Sequence, residues 1–204
     1  MGTQPYYVDG VRVPGTTTII NAYKKSDGLV HWAWDLGRQG LDYRNVRDNA
    51  AETGTKAHSL IEADIRKQEF ITTDEAAIKA FGAYQEWRQH TTLQPTHTET
   101  PLVSRQYHYG GTLDTMLIQG KLSLGDWKTS NAIYIEYLMQ LAAYKHLWEE
   151  NFPDQPITGG LHLLRVSKVG DFHHHWWAEL DDAWESFLLR RRAYDLDKKL
   201  KERI

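Results

Sequence analysis

The chain has 204 residues, with 24 Lys and Arg against 27 Asp and Glu and a formal net charge of −3. That length suits one domain with a substantial core. The near-even charge excludes a basic protein that coats nucleic acid, while leaving room for a local positive groove. The chain contains no Cys. Disulfides, iron–sulfur clusters and thiolate zinc sites are therefore excluded, and any metal must rely on His, Asp, Glu, carbonyl oxygens and water.

Tyr6 to Val13 predicts a hairpin turning at Asp9-Gly10. Thr16-Thr17-Thr18 offers a helix N-cap ahead of Ile19 and Ile20. Leu29, Trp32, Ala33, Leu36 and Leu41 recur at near-helical spacing and predict a helix over 28–45. Ala57, Leu60, Ile61 and Ile65 predict a second over 54–67. Thr73 is the expected cap of a third, with Asp74 and Glu75 in its first turn. After Pro95 the pattern becomes that of strands, expected at 99–105, 107–118 and 121–128, the last two joined at Gln119-Gly120. A strongly patterned helix follows over 133–150. A strand pair, 157–166 and 172–178, turns around Gly170-Asp171, and Asp181 is the expected cap of a closing helix.

This order predicts a mixed α/β (α+β) fold: a central sheet flanked by helices, with a helical N-terminal part. One domain is expected over 1–204, with a hairpin and helices in 1–95 and the sheet core in 96–204. No apolar run approaches the ~20 residues needed to span a bilayer. The opening, Met1 to Tyr7, lacks a basic segment followed by an apolar one. The expectation is a cytoplasmic protein with no membrane contact.

Gly110-Gly111-Thr112-Leu113-Asp114, followed by Gly125-Asp126-Trp127-Lys128-Thr129-Ser130, carries the most chemistry. Side chains two apart on a strand share a face, so Asp126 and Lys128 point together. A hairpin centred on Gly120 would pair Asp114 with Asp126 and set two carboxylates side by side. Such a pair needs a cation between its members, or a proton on one of them. Mg²⁺ or Mn²⁺ suits oxygen ligands, and Lys128 would add positive charge. An ordinary Asp/Lys pair on an exposed strand gives the same local pattern.

His58 and Glu62 stand four apart on one helical face, as do Gln140 and Tyr144. Taken singly, each pair also suits surface or packing roles. Trp32, Trp34, Arg38, Tyr43, Arg44 and Arg47 interleave aromatic and basic side chains, with Lys56 close to His58. That mixture suits a single-strand channel, although the two Trp also suit anchors in the core. Thr129, Ser130 and Asn131 offer either a phosphate contact or a helix cap. His173-His174-His175 alternate on a strand and cannot converge on one ion. Arg190-Arg191-Arg192 fan around a helix and are expected in solvent.

Taken in order, Gly54-Thr55-x-x-His58, Gly111-Thr112-Leu113-Asp114, Asp126-Trp127-Lys128-Thr129-Ser130 and Gln140-x-x-x-Tyr144 resemble the RecB-like branch of the PD-(D/E)xK nucleases. The chain is similar in particular to the mitochondrial genome maintenance and phage exonucleases of that branch. The resemblance spans about 6–144. It implies a restriction-endonuclease-like core in the order αβββαβ. It further implies Asp114, Asp126 and Lys128 as catalytic residues, with His58, Asp114, Asp126 and the Trp127 carbonyl as metal ligands. Gln140 and Tyr144 would support the site and contact DNA. Glu62 and Glu99 match less securely, as groups behind the ligands, and Arg38, Arg44 and Lys56 are expected along the DNA path.

The implied activity is Mg²⁺- or Mn²⁺-dependent DNA exonuclease action on single-stranded ends in replication, repair or recombination, with DNA as partner and room for a recombination or replication partner protein. Bacterial or phage-encoded intracellular origin fits this expectation. Two other readings remain open on the same residues: a structure-specific endonuclease, and a non-catalytic DNA-binding recombination partner.

Overall fold

The computed structural model describes residues 5–24 and 27–204. Residues 1–4 of the opening segment discussed above lie outside the described residues. β1 (Tyr6–Val8) and β2 (Val11–Val13) form the expected hairpin. Asp9 and Gly10 take positive φ, 49° and 78°, as a two-residue type I′ turn requires. In α1 (Thr16–Ala22) the threonines do not cap the helix; Gly15 is the N-cap. Thr16 Oγ1 donates instead to the Gly110 carbonyl at 2.9 Å and ties the helix to the sheet.

α2 (Asp27–Arg38) and α3 (Tyr43–Arg66) replace the helices expected over 28–45 and 54–67. The break falls at Gly40, with φ +74°. Asp42 then caps α3 by accepting from Arg44 N at 2.8 Å. A glycine stop followed by an acidic start outweighs the apolar spacing that continued past it. α4 (Glu75–Gln89) is capped by Asp74 rather than Thr73; its carboxylate accepts from the Ala76 and Ala77 amides.

β3 (Leu93–Ser104), β4 (Tyr109–Ile118), β5 (Lys121–Lys128), β6 (Gly160–Val166) and β7 (Phe172–Trp177) form one mixed sheet in that order. Only β5 and β6 are parallel, and α5 (Ile135–Asn151) supplies the crossover that parallel neighbours need. β3 starts ahead of the expected Glu99 and runs through Pro95, with an irregular ladder between Pro95 and Thr100. An edge strand tolerates that proline because no neighbour needs its missing N–H. In α6 (Asp181–Lys201) Leu180 is the N-cap, so Asp181 and Asp182 act in the first turn, where they complement the helix dipole.

Alternation along β4 sends Leu113 to one face of the sheet and Met116 to the other. Leu113 joins Leu124, Leu141, Leu147, Trp148 and Phe187 beneath α5 and α6. Met116 joins Ala57, Ile61, Tyr84, Trp87 and Trp127 beneath α3 and α4. The result is a mixed α/β fold, a five-stranded sheet with helices on both faces, in the expected αβββαβ order. Among the described residues no helix is long and apolar enough to cross a membrane.

Arg191 corrects one expectation. It is only 8% exposed, not solvated. Its guanidinium donates to the Tyr107 and His108 carbonyls and to Asp195, the pairing that makes a buried charge tolerable. His174 meets His162 Nδ1 at 2.9 Å while His173 leans toward Asp171, so the three adjacent histidines diverge along β7 as expected.

Candidate active site

β4 and β5 turn at Gln119 and Gly120, with φ 51° and 77°. Ile118 therefore pairs with Lys121, and the ladder ends at Thr115 opposite Leu124. Continued one step, this register sets Asp114 against Gly125, not Asp126. The expected pairing of the two aspartates assumed a turn centred on Gly120; a two-residue turn shifts the register by one. Asp126 and Lys128 consequently side with Leu124 toward α5, and Asp114 sides with Met116 toward α3. Both aspartates lie beyond the last β4–β5 pair, and their charges still interact across the opening strands.

On the α5 side a polar chain holds the lysine. Lys128 Nζ lies 2.8 Å from Asp126 Oδ2, and it donates to Asp126 Oδ1 at 3.1 Å and Gln140 Oε1 at 2.9 Å. Gln140 Nε2 in turn donates to the Tyr144 hydroxyl at 2.9 Å. Tyr137 adds its ring face, 4.9 Å from Nζ. Burial pushes the Tyr144 phenol upward, so it stays neutral. Gly111 makes room for it: a Cβ there would stand 2.6 Å from the Tyr144 ring. Asp126 Oδ2 is buried and accepts no hydrogen bond among the described residues, although Lys128 Nζ pairs with it at 2.8 Å.

On the α3 side, Gly54 lets the helix come against the segment after β5, since a Cβ would meet Thr129 Oγ1 at 2.8 Å. One turn later His58 enters the site. Burial lowers its pKa, Asp126 opposes that shift and Lys128 adds to it, so the imidazole is neutral at pH 7. Glu62 and Glu99 share Arg66: Nη2 lies 2.7 Å from Glu62 Oε1 and 3.0 Å from Glu99 Oε2. Burial, then Glu99, raises the Glu62 pKa against the pull of Arg66. Glu99 adopts a left-handed backbone, φ 47°, and its N–H donates to Asp114 Oδ1 at 2.6 Å. Burial pushes the Asp114 carboxyl up to about 6, with Asp126, Glu99 and Glu62 adding to the shift and the Glu99 amide opposing it. His58, Glu62, Glu99, Asp114 and Trp127 line a cavity of about 180 Å³. The Trp127 indole packs edge-on against Tyr84 and Trp87, fixing that stretch of β5.

Among the described residues no three His, Asp or Glu side chains stand together closely enough to share one ion. The expected convergence of His58, Asp114, Asp126 and Lys128 is thus partial: Lys128 touches Asp126, while Asp114 and His58 approach from the other face. In chemical kind the donors fit a hard divalent cation. Glu62, Glu99, Asp114 and Asp126 outnumber Arg66 and Lys128, an Asp126 oxygen has no hydrogen-bond partner among the described residues, and the nearby imidazole is neutral. Positive charge is what this cluster lacks.

The aromatic and basic stretch sits on α2 and the start of α3. Trp34 is 59% exposed, with the Arg38 guanidinium 4.7 Å from its ring centre. Arg44 stacks at 5.7 Å on Tyr43, and Trp32 meets Tyr43 edge-on. Lys56 is instead engaged by Glu52 at 2.7 Å and Asp74 at 3.7 Å. Thr129, Ser130 and Asn131 cap nothing, because α5 begins at Ile135 with Tyr134 as its N-cap. Arg66 and Tyr137 were missed from sequence. Arg66 stands four residues after Glu62 and Tyr137 three before Gln140, spacings that put each on a shared helix face.

No protein-family model matches this chain, and no curated protein matches it either.

Proposed function

We propose that this protein is a metal-dependent DNA exonuclease that acts on single-stranded ends. The observation that carries the reading is the chain Asp126–Lys128–Gln140–Tyr144 on one face of β5, with a carboxylate-lined cavity on the other. Of the three N–H groups of this ammonium, Asp126 and Gln140 engage two, which leaves one for an anion. In the proposed reaction, Lys128 sets its ammonium against a phosphoryl oxygen and stabilises the charge that develops there. Gln140, fixed by Tyr144, takes a second N–H of the ammonium and so fixes its direction beside Asp126.

His58, Asp114, Asp126 and the Trp127 carbonyl are the groups that would hold Mg²⁺ or Mn²⁺. Such an ion, when bound, neutralises phosphate charge and makes water more acidic. Without a cation, four carboxylates would repel the very substrate that Lys128 attracts. Water attacks phosphorus in line with the 3′ oxygen; the P–O3′ bond breaks, the 3′ oxygen takes a proton, and the phosphate remains on the 5′ end of the other fragment. Trp34 with Arg38, and Tyr43 with Arg44, supply exposed stacked surfaces for unpaired bases and their phosphates.

The test is digestion of end-labelled single- and double-stranded DNA, and of circular single strands, with Mg²⁺ or Mn²⁺. Asp126→Ala and Lys128→Ala are each expected to slow digestion by on the order of 100-fold or more. Unchanged activity in both variants rejects the assignment. Cleavage of the circle makes the protein an endonuclease, and binding without cleavage under either metal makes it a non-catalytic DNA partner.

A further inference from the structure

A second cavity, about 600 Å³ and open to solvent, lies between the β1–β2 hairpin, α1 and the C-terminal half of α6. Its lining includes Arg12, His108, Arg191 and Lys198, with Asp195 as the one acidic side chain among its lining residues. Asp195 is already bonded to Arg191 Nη1 at 2.6 Å. Arg12 and Lys198 have no ion-pair partner among the described residues.

Arg191 gives the cavity a built floor. Its side chain is 9% exposed. Nε donates to the Tyr107 and His108 carbonyls and Nη1 to Asp195, which leaves Nη2 without a partner among the described residues. Three cations around one neutralised acid suit a phosphate-class anion. The volume exceeds what inorganic phosphate fills, and half-buried Tyr194 and buried Tyr6 are among the lining residues. Phosphate next to an aromatic wall is the chemistry of a nucleotide unit.

Tyr6 connects the cavity to β4, the strand that carries Asp114. The Tyr6 hydroxyl shares a 2.9 Å hydrogen bond with Thr112 Oγ1. Thr112 and Asp114 are two apart on one face of β4. The Tyr6 ring covers Gly110, where any Cβ would overlap it. From Gly110 to Asp114 the strand advances only about 13 Å, so one strand can engage both places.

We infer that this cavity binds a phosphate of the nucleic-acid strand away from the cleavage point, an occupant whose choice rests on the nuclease reading. Arg12 and Lys198 are exposed, so Arg12→Ser/Lys198→Ser keeps the fold, which a thermal melt checks. Binding of a labelled oligothymidylate is followed by anisotropy in EDTA across a salt series. The double variant is expected to bind about 10-fold more weakly, with the slope of log K against log salt reduced by about 1.4 for two single-strand contacts. The charge-matched Lys79→Ser/Lys121→Ser protein keeps the wild-type slope. An unchanged slope in Arg12→Ser/Lys198→Ser overturns the inference. Displacement of the oligonucleotide by inorganic phosphate as effectively as by thymidine monophosphate overturns it too, in favour of a small-anion site. Digestion is scored separately. Wild-type protein that cuts nothing but shows the slope change removes the nuclease reading and keeps the cavity; wild-type protein that cuts while the variant binds normally does the reverse.

Discussion

Asp114→Asn should make the metal-free protein more stable, and only above a definite pH. The native carboxyl has its pKa raised from 3.8 to about 6, chiefly by burial. Between those values the folded chain binds more protons than the unfolded chain, so stability falls as pH rises through the window and levels off above about 6. A shift of about 2 units sets a ceiling of about 3 kcal/mol, and solvent in the cavity beside Asp114 lowers the expected gain to ~1–2 kcal/mol. Asparagine keeps an oxygen for the Glu99 amide and has no proton to lose. The variant should therefore match wild type near the low end of the window and exceed it at pH 7 to 8, by roughly 3–6 °C in melting temperature. Denaturant melts in EDTA from pH 4.5 to 8 measure this gap directly. Adding Mn²⁺ should then stabilise wild type and do so less for Asp114→Asn. A gap that is absent, or does not vary with pH, would show that the Asp114 carboxylate is adequately solvated and that the cluster does not lack positive charge.

Gly111→Ala should destabilise the fold by ~1–3 kcal/mol through overpacking, since the new methyl group would stand 2.6 Å from the Tyr144 ring and 2.9 Å from Leu147; a thermal melt suffices, and an unchanged midpoint would mean that α5 shifts freely against β4. Trp34→Ala/Arg38→Ala removes an exposed stacked pair, so stability should stay within about 0.5 kcal/mol. Oligonucleotide affinity should nonetheless fall about 10-fold, as loss of a stacked base implies; equal affinity would remove α2 from the DNA path.

What the sequence made legible was local. His58 with Glu62, Asp126 with Lys128, and Gln140 with Tyr144 are separated by four, two and four residues, and those spacings fix a shared face once helix or strand is known. Helix boundaries went astray where two signals competed: Gly40 and Asp42 against continuing apolar periodicity, Asp74 against Thr73. The relation of Asp114 to Asp126 was not local. It depends on whether the turn holds two residues or three, and Gln119, a non-glycine at positive φ, gives little notice of the two-residue form. The ion pairs of Arg66 with Glu99 and the carbonyl contacts of Arg191 join segments distant in sequence, which periodicity does not bring together.

That register has a chemical consequence. With Asp114 directed toward α3 and Asp126 toward α5, no cation can reach both along the flat of the sheet. On the proposed function both reach an ion at the end of the β4–β5 ladder, past Thr115 and Leu124, where backbone pairing between these two strands has stopped. His58 arrives there from the helical layer on one face, and Gln140 and Tyr144 brace Lys128 from the layer on the other. On the proposed function, then, the site is a joint product of both layers. Loosening α3 or α5 against the sheet would separate the groups that must act together even where each side chain is intact. The close approaches at Gly54 and Gly111, one on each side, are the points where the fold enforces that alignment.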